Sequence, residues 1–449
     1  MTTRRSFLTR GAAGFSGLAL SGMLAKQATA SVAGVPHFRP RAKRVLFLCM
    51  SGGPSHVDTF DYKPALARLD GQSGPATGRR RSSARLMKSP WKFSKHGRSG
   101  LPISELFPQV AKQADHLCLL HGMQTSVPAH PQAFLELHTG TTQFVRPSLG
   151  SWVVYGLGQE NENLPSFISL SPPSGNGGSR NYGNSFLPAI HQGTPIDMRR
   201  GAATLSDIDN PRLDRDQQRR QLDLISRLHR SDAVTRPGDD AIRSVAASYE
   251  LAFRMQDAVP EVMSIQSESE ATRRAYGLQN DETQSFGRQC LTARRLLEAG
   301  VRFVEITHSG WDQHRRLRED HAKNAAAVDQ PIAALLADLQ SRGLLEDTLV
   351  LWGGEFGRTP AVQGNDGRDH NHKGFTMWMA GGGVRGGYRY GATDELGGEA
   401  VDGKMDIHDL HATVLHALGI DHKRLTYRYA GRDFRLTDVH GNVAKEIFV

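Results

Sequence analysis

The strongest constraint on the fold is a series of short apolar runs, bounded by glycine, that recurs along the chain. The runs are Val45–Met50, Leu117–Leu120, Phe167–Leu170, Val301–Thr307, Thr348–Trp352 and Phe375–Ala380. Because they are apolar throughout rather than alternating, they indicate strands that are buried on both faces. Helical stretches alternate with these runs, at Thr292–Ala299, Glu319–Leu344 and Leu410–Leu418. The pattern predicts an α/β fold with a mostly parallel central sheet and helices on both faces.

Two segments depart from this alternation within the single domain that we predict over residues 41–449. Residues 71–104 hold eight Lys or Arg residues and no acid, and they are predicted to form a mobile surface loop. Arg79, Arg80 and Arg81 with Trp91 could dock an anionic glycan there, and the alternative is a solvated loop without a ligand. Residues from about 205 to 285 are charged and have a helical period, which predicts a helical insertion.

The first thirty residues predict a signal for export by the twin-arginine translocase. Arg4 and Arg5 precede an apolar stretch rich in Gly, Ala and Ser, and Ala28-Thr29-Ala30 has the small residues of a cleavage site. The alternative is a membrane anchor, but the apolar stretch is shorter than the ~20 residues that a spanning helix needs. We expect a periplasmic or extracellular protein without a transmembrane anchor.

Composition argues against two other classes of protein. The formal net charge is +9, and the four basic residues of the predicted signal account for part of it, which leaves +5. That mild bias, without zinc-finger or basic-zipper spacing, does not predict a nucleic-acid partner. Three cysteines cannot build a disulfide framework, and Cys49 and Cys118 lie within apolar runs, where we expect buried thiols.

Polar clusters follow or precede the predicted strands, at the sheet edge where ligands bind in such folds. They occupy residues 51–58, 310–314, 353–360 and 367–372. Carboxylate and imidazole together are common ligands of zinc and manganese, and their presence does not exclude calcium or magnesium. Each cluster also has a purely structural interpretation, such as a capped turn or an ion pair between Glu355 and Arg358.

Longer motifs resemble a known bacterial family. They are Gly53–Asp61, Arg146–Trp152, Gly354–Pro360, Gly367–His370 and His408–Thr413, and the resemblance runs from about Arg44 to His440. The chain is similar to the exported proteins known as domain of unknown function 1501. That family is grouped with the alkaline-phosphatase and sulfatase superfamily, so the resemblance implies that fold and a divalent-metal site.

The chain departs from the superfamily pattern at several positions. The pattern expects an Asp at the end of the first strand, where Ser51 stands, and adjacent Asp-His where Glu355 and Phe356 stand. It also expects an Asp and a His three residues apart, whereas Asp312 and His314 are spaced more closely. A two-metal site, a single-metal site and an altered site therefore remain as alternatives.

The resemblance places the nucleophile at the start of a helix after the second strand. Thr125, Ser126 and His130 lie there, with Pro131 suited to a first helical turn that favours an anion. The alternative is a capping Ser and a structural His. Cys290 falls inside a helical stretch rather than after a strand, which argues against a formylglycine sulfatase.

These observations predict a metal-dependent hydrolase of phosphate or sulfate esters that acts on a small molecule or a polysaccharide. We expect Arg358 to stabilise developing negative charge. The candidate metal ligands are Asp58, Asp312, His314, Glu355, Asp369, His370 and His372. The rival interpretation is a binding or scaffold protein that keeps the fold without catalysis.

Overall fold

The structure is a computed structural model that describes residues 34–74, 84–198, 212–235 and 240–449. The predicted signal at residues 1–30 lies outside the described residues, as do Arg79, Arg80 and Arg81 of the basic segment. No helix in the described ranges is long and apolar enough to cross a membrane.

An eight-stranded sheet forms the centre of the molecule. Its strands are β1 (Arg44–Ser51), β4 (Leu117–Met123), β5 (Phe167–Leu170), β6 (Thr194–Ile196), β7 (Phe303–Ser309), β8 (Thr348–Gly353), β11 (Phe375–Ala380) and β12 (Tyr388–Tyr390). They are ordered β12-β4-β11-β8-β1-β7-β5-β6. Strand β11 pairs antiparallel with both neighbours, and every other pairing in the sheet is parallel. The mostly parallel α/β fold expected from the apolar runs is therefore confirmed.

Shorter strands form two-stranded sheets around this centre. They are β2 (Phe93–His96) with β3 (Leu101–Ser104), β9 (Gly357–Val362) with β10 (Arg368–Asn371), β13 (Ala392–Thr393) with β14 (Ala400–Asp402), and β15 (Tyr427–Tyr429) with β16 (Arg432–Phe434). The β9–β10 hairpin connects β8 to β11, so it stands over the edge where β8 ends.

Helices cover both faces of the sheet. They are α1 (His56–Thr59), α2 (Pro64–Arg68), α3 (His130–Thr139), α4 (Leu149–Leu157), α5 (Arg215–Thr235), α6 (Asp240–Met263), α7 (Glu270–Ala275), α8 (Gln284–Glu298), α9 (Ala322–Ser341) and α10 (Ile407–Ala417). Within β1, Leu46 and Leu48 pack into one core with α8 and α9, while Phe47 and Cys49 pack into the other with α3 and α10. This alternation follows from the two-residue period of a strand and explains why β1 is apolar throughout.

Local sequence explains where the helices next to the sheet edge begin and end. Helix α3 has Pro131 in its first turn, where a missing N–H costs nothing, and it ends at Gly140 with a left-handed φ of 69°. Helix α10 begins with a capping box between Asp406 and Asp409.

Two predicted segments have more structure than their composition suggested. Part of the basic segment forms the β2–β3 hairpin rather than a loop, because Leu101 and Ile103 alternate into the core. The described part of the predicted insertion holds α5, α6 and α7, and Leu251, Met255 and Val259 of α6 are buried against the sheet's helical layer.

Candidate metal centre

Three separate stretches of chain bring acidic and imidazole side chains to the carboxyl edge of the central sheet. Strand β7 ends just before the loop that carries Asp312 and His314, and hairpin strand β10 carries His370. His130 is the first residue of α3, which follows β4. These four residues, His130, Asp312, His314 and His370, are called the edge cluster below.

The end of β1 comes close to the Asp312 loop because Gly52 has no side chain. Gly52 has a φ of +115°, and a Cβ there would lie 2.7 Å from the Asp312 nitrogen and 2.8 Å from the Trp311 nitrogen. A side chain at this position would therefore both strain the backbone and push the loop away.

Four donor atoms converge in the edge cluster. Asp312 Oδ1 lies 3.0 Å from His314 Nε2 and 3.2 Å from the Nε2 atoms of His130 and His370. The Nε2 atoms of His314 and His370 are 2.8 Å apart. All four candidate ligand atoms lie within 4.8 Å of one another.

An acceptor faces the outer nitrogen of each of the three rings. Nδ1 of His130 lies 2.6 Å from Glu355 Oε1, and Nδ1 of His370 lies 2.8 Å from the Pro128 carbonyl oxygen. Nδ1 of His314 lies 2.5 Å from the side-chain oxygen of Gln363. Each Nδ1 can therefore donate its hydrogen outward, which lets each Nε2, once deprotonated, offer its lone pair to the interior of the cluster.

The donor set fits a divalent cation. Nitrogen and oxygen ligands held about 2.0–2.1 Å from a tetrahedral zinc ion stand roughly 3.3 Å apart, close to the separations within the cluster. Two imidazole lone pairs at 2.8 Å repel each other unless a cation or a proton lies between them. The Asp312 side chain is 42% exposed and that of His314 is 35% exposed, so the cluster opens to solvent on one side.

The surrounding charges keep the Asp312 carboxylate ionised. Burial would raise its pKa, but hydrogen bonds from His130 and His370 and the nearby Arg358 guanidinium hold the pKa well below its usual range. Burial would lower the pKa of His130, and its hydrogen bonds to Asp312 and Glu355 outweigh that effect and raise it to about 9.

A family model supplies the identity of the chain. The model described as "Protein of unknown function (DUF1501)" matches residues 42–448. The chain belongs to this family. No curated protein matches it.

Solved structures with a similar course of the chain include members of the sulfatase and alkaline phosphatase groups. A sulfatase from Pseudoalteromonas sp., PsFucS1, is 14% identical over 90% of this chain and 71% of its own, with a TM-score of 0.36. An alkaline phosphatase superfamily protein from Vibrio parahaemolyticus is 9% identical over 88% of this chain and 70% of its own, with a TM-score of 0.38. The lipoteichoic acid synthase LtaP from Listeria monocytogenes is 9% identical over 89% and 76%, with a TM-score of 0.38.

In this DUF1501 protein, Arg358 has a different position from the one expected for a group that contacts substrate. Its side chain is 1% exposed and lies behind Asp312, to which Nη2 donates at 2.7 Å. The remaining donors go to backbone carbonyls, including Nε to Gly53 at 2.9 Å and Nη2 to Gly52 and Trp311. Arg358 thus orients Asp312 and joins the ends of β1 and β7, and its donors are already occupied.

The structure also places two of the predicted metal ligands outside the edge cluster. Asp58, in helix α1, is fully buried and receives two hydrogen bonds from Arg368, at 2.7 and 3.1 Å. His372 lies half-buried beyond β10, and its carbonyl accepts a hydrogen bond from the Thr125 nitrogen. Neither side chain is among the converging groups.

Glu355 and Asp369 lie behind the cluster rather than within it. Glu355 is fully buried, accepts hydrogen bonds from the Gly52 nitrogen at 3.1 and 3.2 Å, and orients His130. Asp369 accepts from the His370 nitrogen at 2.9 Å, and its Oδ1 lies 3.9 Å from His314 Nδ1.

The two hydroxyl candidates for the nucleophile are both bonded to one buried carboxylate. Thr125 Oγ1 donates to Glu136 Oε2 at 2.7 Å, and Ser126 Oγ donates to Glu136 Oε1. The side chain that points from the start of α3 into the edge cluster is instead His130.

Sequence patterns did not predict the groups that orient the rings. Gln363 orients His314, and the Pro128 carbonyl oxygen orients His370. Neither a single Gln in a hairpin nor a backbone carbonyl forms a recognisable sequence motif. Glu305, a single acid inside the apolar run of β7, is a signal in the sequence that belongs to a different group.

Glu305 belongs to a second group, Cys49, His138 and Glu305, called the core cluster below. Its donor atoms also lie within 4.8 Å of one another, and all three residues are buried. His138 Nδ1 lies 2.8 Å from the Phe134 carbonyl oxygen and Nε2 lies 3.2 Å from Glu305 Oε1, so both ring nitrogens face acceptors. Burial lowers the pKa of His138, but the Glu305 charge outweighs it and raises the pKa, which favours an imidazolium–carboxylate ion pair.

Proposed function

We propose that this protein is a metal-dependent hydrolase of phosphate or sulfate esters. The observation that carries the proposal is the convergence of three imidazole Nε2 atoms on Asp312 Oδ1, each ring oriented by an acceptor on its other nitrogen. Acceptor-oriented imidazoles around a carboxylate are typical of metal ligands in proteins. The position at the carboxyl edge of a mostly parallel sheet is where such folds bind their ligands.

In this proposal Asp312, His314 and His370 hold the metal. The two imidazole ligands favour zinc over calcium and magnesium, which prefer oxygen ligands, and the carboxylate is also compatible with manganese. A divalent metal bound there supplies positive charge that polarises an ester oxygen. Arg358 and Gln363 keep Asp312 and His314 in position, and the exposed side of Asp312 and His314 admits the substrate.

His130 is the proposed catalytic residue. Glu355 fixes its ring through Nδ1, and Nε2 faces the same space as the three ligands. Held in this way, Nε2 can pass a proton to or from an ester oxygen. Thr125 and Ser126 are less suited because their hydroxyl hydrogens are donated to Glu136.

The test is metal content and ester hydrolysis of protein purified without chelators, on nitrophenyl phosphate, bis(nitrophenyl) phosphate and nitrophenyl sulfate. We expect one bound metal, which Asp312→Asn removes together with activity. Asp347→Asn is the matched control, since Asp347 is similarly exposed and pairs with Lys43 instead. We expect His130→Ala to keep the metal and to lose about 10²–10⁴-fold in hydrolysis, the usual contribution of acid–base catalysis.

One observation favours the rival function of a non-catalytic binding or scaffold protein: the donor atom of His130 lies within 4.8 Å of the other three. If His130 is a ligand, the four residues complete a tetrahedron, and closed four-ligand zinc sites are structural. In that case His130→Ala loses the metal, and the parent protein binds metal without hydrolysing any of the three esters.

We also propose that the protein acts outside the cytoplasm after export by the twin-arginine translocase. Arg4 and Arg5, which lie outside the described residues, support this. Replacing both with Lys should leave the protein in the cytoplasm with residues 1–30 attached, and normal export of that variant would contradict the proposal.

A further inference from the structure

A second concave site lies beside the edge cluster, between the end of α3, the segment that follows it, and the β15–β16 hairpin. This cavity of about 390 Å³ is called the arginine–aromatic pocket, and its walls include Phe144, Arg146, Phe186, Arg432, Phe434 and Arg435. Ser126 and Glu136 also line it. Ser126 lies four residues before His130 in the chain, so the pocket and the edge cluster share the segment that leads into α3.

The pocket holds an excess of positive charge. Arg432 pairs with Asp438, and Arg435 donates to the Asp438 carbonyl oxygen. Arg146 forms no ion pair and donates no hydrogen bond to another residue in the part of the chain that the structure describes. Glu136, at the floor, is already bonded to the Ser126 and Thr125 hydroxyls.

Arg146 lies against two aromatic rings of the pocket. Its guanidinium carbon lies 4.3 Å from the centre of the Phe434 ring and 5.5 Å from that of Phe144. Partial burial and the charge of Arg432 lower its pKa, and together they outweigh the opposite effect of Asp438. An anion bound at the Arg146 guanidinium would offset the charge of Arg432 and use donors that have no partner in the described structure.

Aromatic faces stand next to these cations. Phe144 is 62% exposed, and Tyr429 beside the pocket is 50% exposed. Phe186 stacks on Tyr429 with ring centres 5.1 Å apart and an angle of 16°, and it also contacts Phe434. Exposed aromatic surface next to cations is characteristic of a binding site rather than of a purely structural patch.

The rim of the pocket supplies small polar groups. Thr141, Thr142, His408, His440 and Asp438 line it with hydroxyls, imidazoles and a carboxylate. A ring that carries several hydroxyl groups and an anionic substituent matches this combination: the hydroxyls meet the rim, the C–H face meets Phe144 and Phe434, and the anion meets Arg146. A sugar that carries a sulfate or phosphate has all three features.

We infer that the arginine–aromatic pocket binds an anionic sugar unit of a sulfated or phosphorylated glycan. On the proposed function, on which this inference rests, that unit is part of the ester substrate of the edge cluster. Gly140, in the wall of the pocket at the end of α3, lies ~15 Å along the helix axis from His130 at its start, at 1.5 Å per residue. A ligand that occupies both sites is therefore an oligosaccharide, and a single sugar fills only one of them.

The experiment is calorimetric titration of the mature protein with dextran sulfate, with dextran phosphate and with neutral dextran of the same length. We expect both anionic glycans to bind and neutral dextran not to bind. Arg146→Gln should weaken binding about tenfold, because a charge-assisted hydrogen bond of 1.5 kcal/mol or more is lost. Phe144→Ala, which removes an exposed ring without touching the core, should also weaken it.

Arg428→Gln is the matched control. Arg428 lies on the same hairpin, pairs with Asp433 and does not line the pocket, so this variant should bind like the parent. Equal losses in the Arg146 and Arg428 variants would mean that only general positive charge attracts the glycan, and the inference would be overturned. Equally tight, Arg146-dependent binding of oligo-deoxythymidine would overturn the assignment to a glycan.

Failure of this inference and failure of the proposed function give different results. Titration of the Asp312→Asn variant measures glycan binding without the metal. If glycan binding depends on Arg146 but the protein hydrolyses no ester, the inference about the pocket stands and the proposed hydrolase function is wrong. If the protein hydrolyses small esters and the Arg146 variant binds glycan as tightly as the parent, the proposed function stands and the inference about the pocket is wrong.

Discussion

The edge cluster and the core cluster contain the same types of side chain, and both use helix α3. His130 begins the helix, and His138 lies near its end, ~12 Å further along at 1.5 Å per residue. In the edge cluster an acceptor faces Nδ1 of each histidine, and the three Nε2 atoms converge on one carboxylate oxygen, where a cation can replace the protons between them. In the core cluster a single imidazole faces one carboxylate through Nε2 and the Phe134 carbonyl oxygen through Nδ1, so the pair is complete without a cation.

Solvent access separates the two clusters further. Asp312 is 42% exposed, whereas Glu305 and His138 are each 3% exposed. The comparison teaches that proximity of donor atoms does not by itself indicate a metal site. The difference is that three imidazoles converge on one oxygen of a solvent-exposed carboxylate in the edge cluster, whereas one imidazole and one carboxylate satisfy each other in the core cluster.

The largest expected effect is on stability and concerns the core cluster. Glu305→Gln should lower the free energy of unfolding by about 3–5 kcal/mol, because it leaves the His138 charge buried without its partner. Urea unfolding measures this. Glu399→Gln is the control, because its exposed pair with Lys373 should be worth about 0–1 kcal/mol.

A double variant, His138→Leu with Glu305→Leu, sharpens this prediction. It replaces both charges by apolar groups and should recover much of the stability that Glu305→Gln loses. A loss below about 1 kcal/mol in Glu305→Gln would mean that the buried pair is not ionised.

The next effect is on metal affinity. Gln363→Leu removes the acceptor that orients His314, and it should weaken metal binding about 10–100-fold, as loss of such a partner usually does. Cys49→Ala should leave the affinity unchanged. Competition with a chelator of known affinity measures both variants, and the opposite pattern would place the metal in the core cluster.

The smallest effect is a dependence of stability on pH. The folded-state pKa of His138 is raised above its unfolded value of 6.5, so its contribution is complete below pH 6.5 and is lost as the pH rises through the folded pKa. The groups around it are Glu305, Glu355, His411 and Cys49. The stability difference between the parent and His138→Gln should therefore shrink as the pH rises above 6.5, and a constant difference would show that His138 is neutral in the fold.

Much of the sheet followed from local patterns. Strands β1, β5, β8 and β11 coincide with apolar runs to within one or two residues, because a strand buried on both faces has to be apolar at every position. Strand β6 (Thr194–Ile196) was not foreseen, since it contains Pro195, lies at the sheet edge and is only three residues long. The reversed direction of β11 was not foreseen either, because it depends on where the β9–β10 hairpin returns the chain.

The candidate site was foreseen as a set of loops but not as a set of ligands. Asp312, His314 and His370 were named as ligands, and the structure brings them together. Asp58 was named as a further ligand and Arg358 as a group that stabilises negative charge, yet both are held in the interior by partners distant in sequence, Arg368 for Asp58 and the Gly52–Gly53 carbonyls for Arg358. Local spacing cannot reveal such partners.

The sequence by itself determined the α/β class, the family and the edge of the sheet at which chemistry-bearing side chains gather. It could do so because apolar period, glycine boundaries and motif order are local properties of the chain. The tertiary structure alone decided which ring nitrogens converge, which carboxylates stay behind them and which clusters reach solvent. Those properties depend on contacts such as that between His370 and Pro128, 242 residues apart, whose geometry exists only once the sheet has brought its strand ends together.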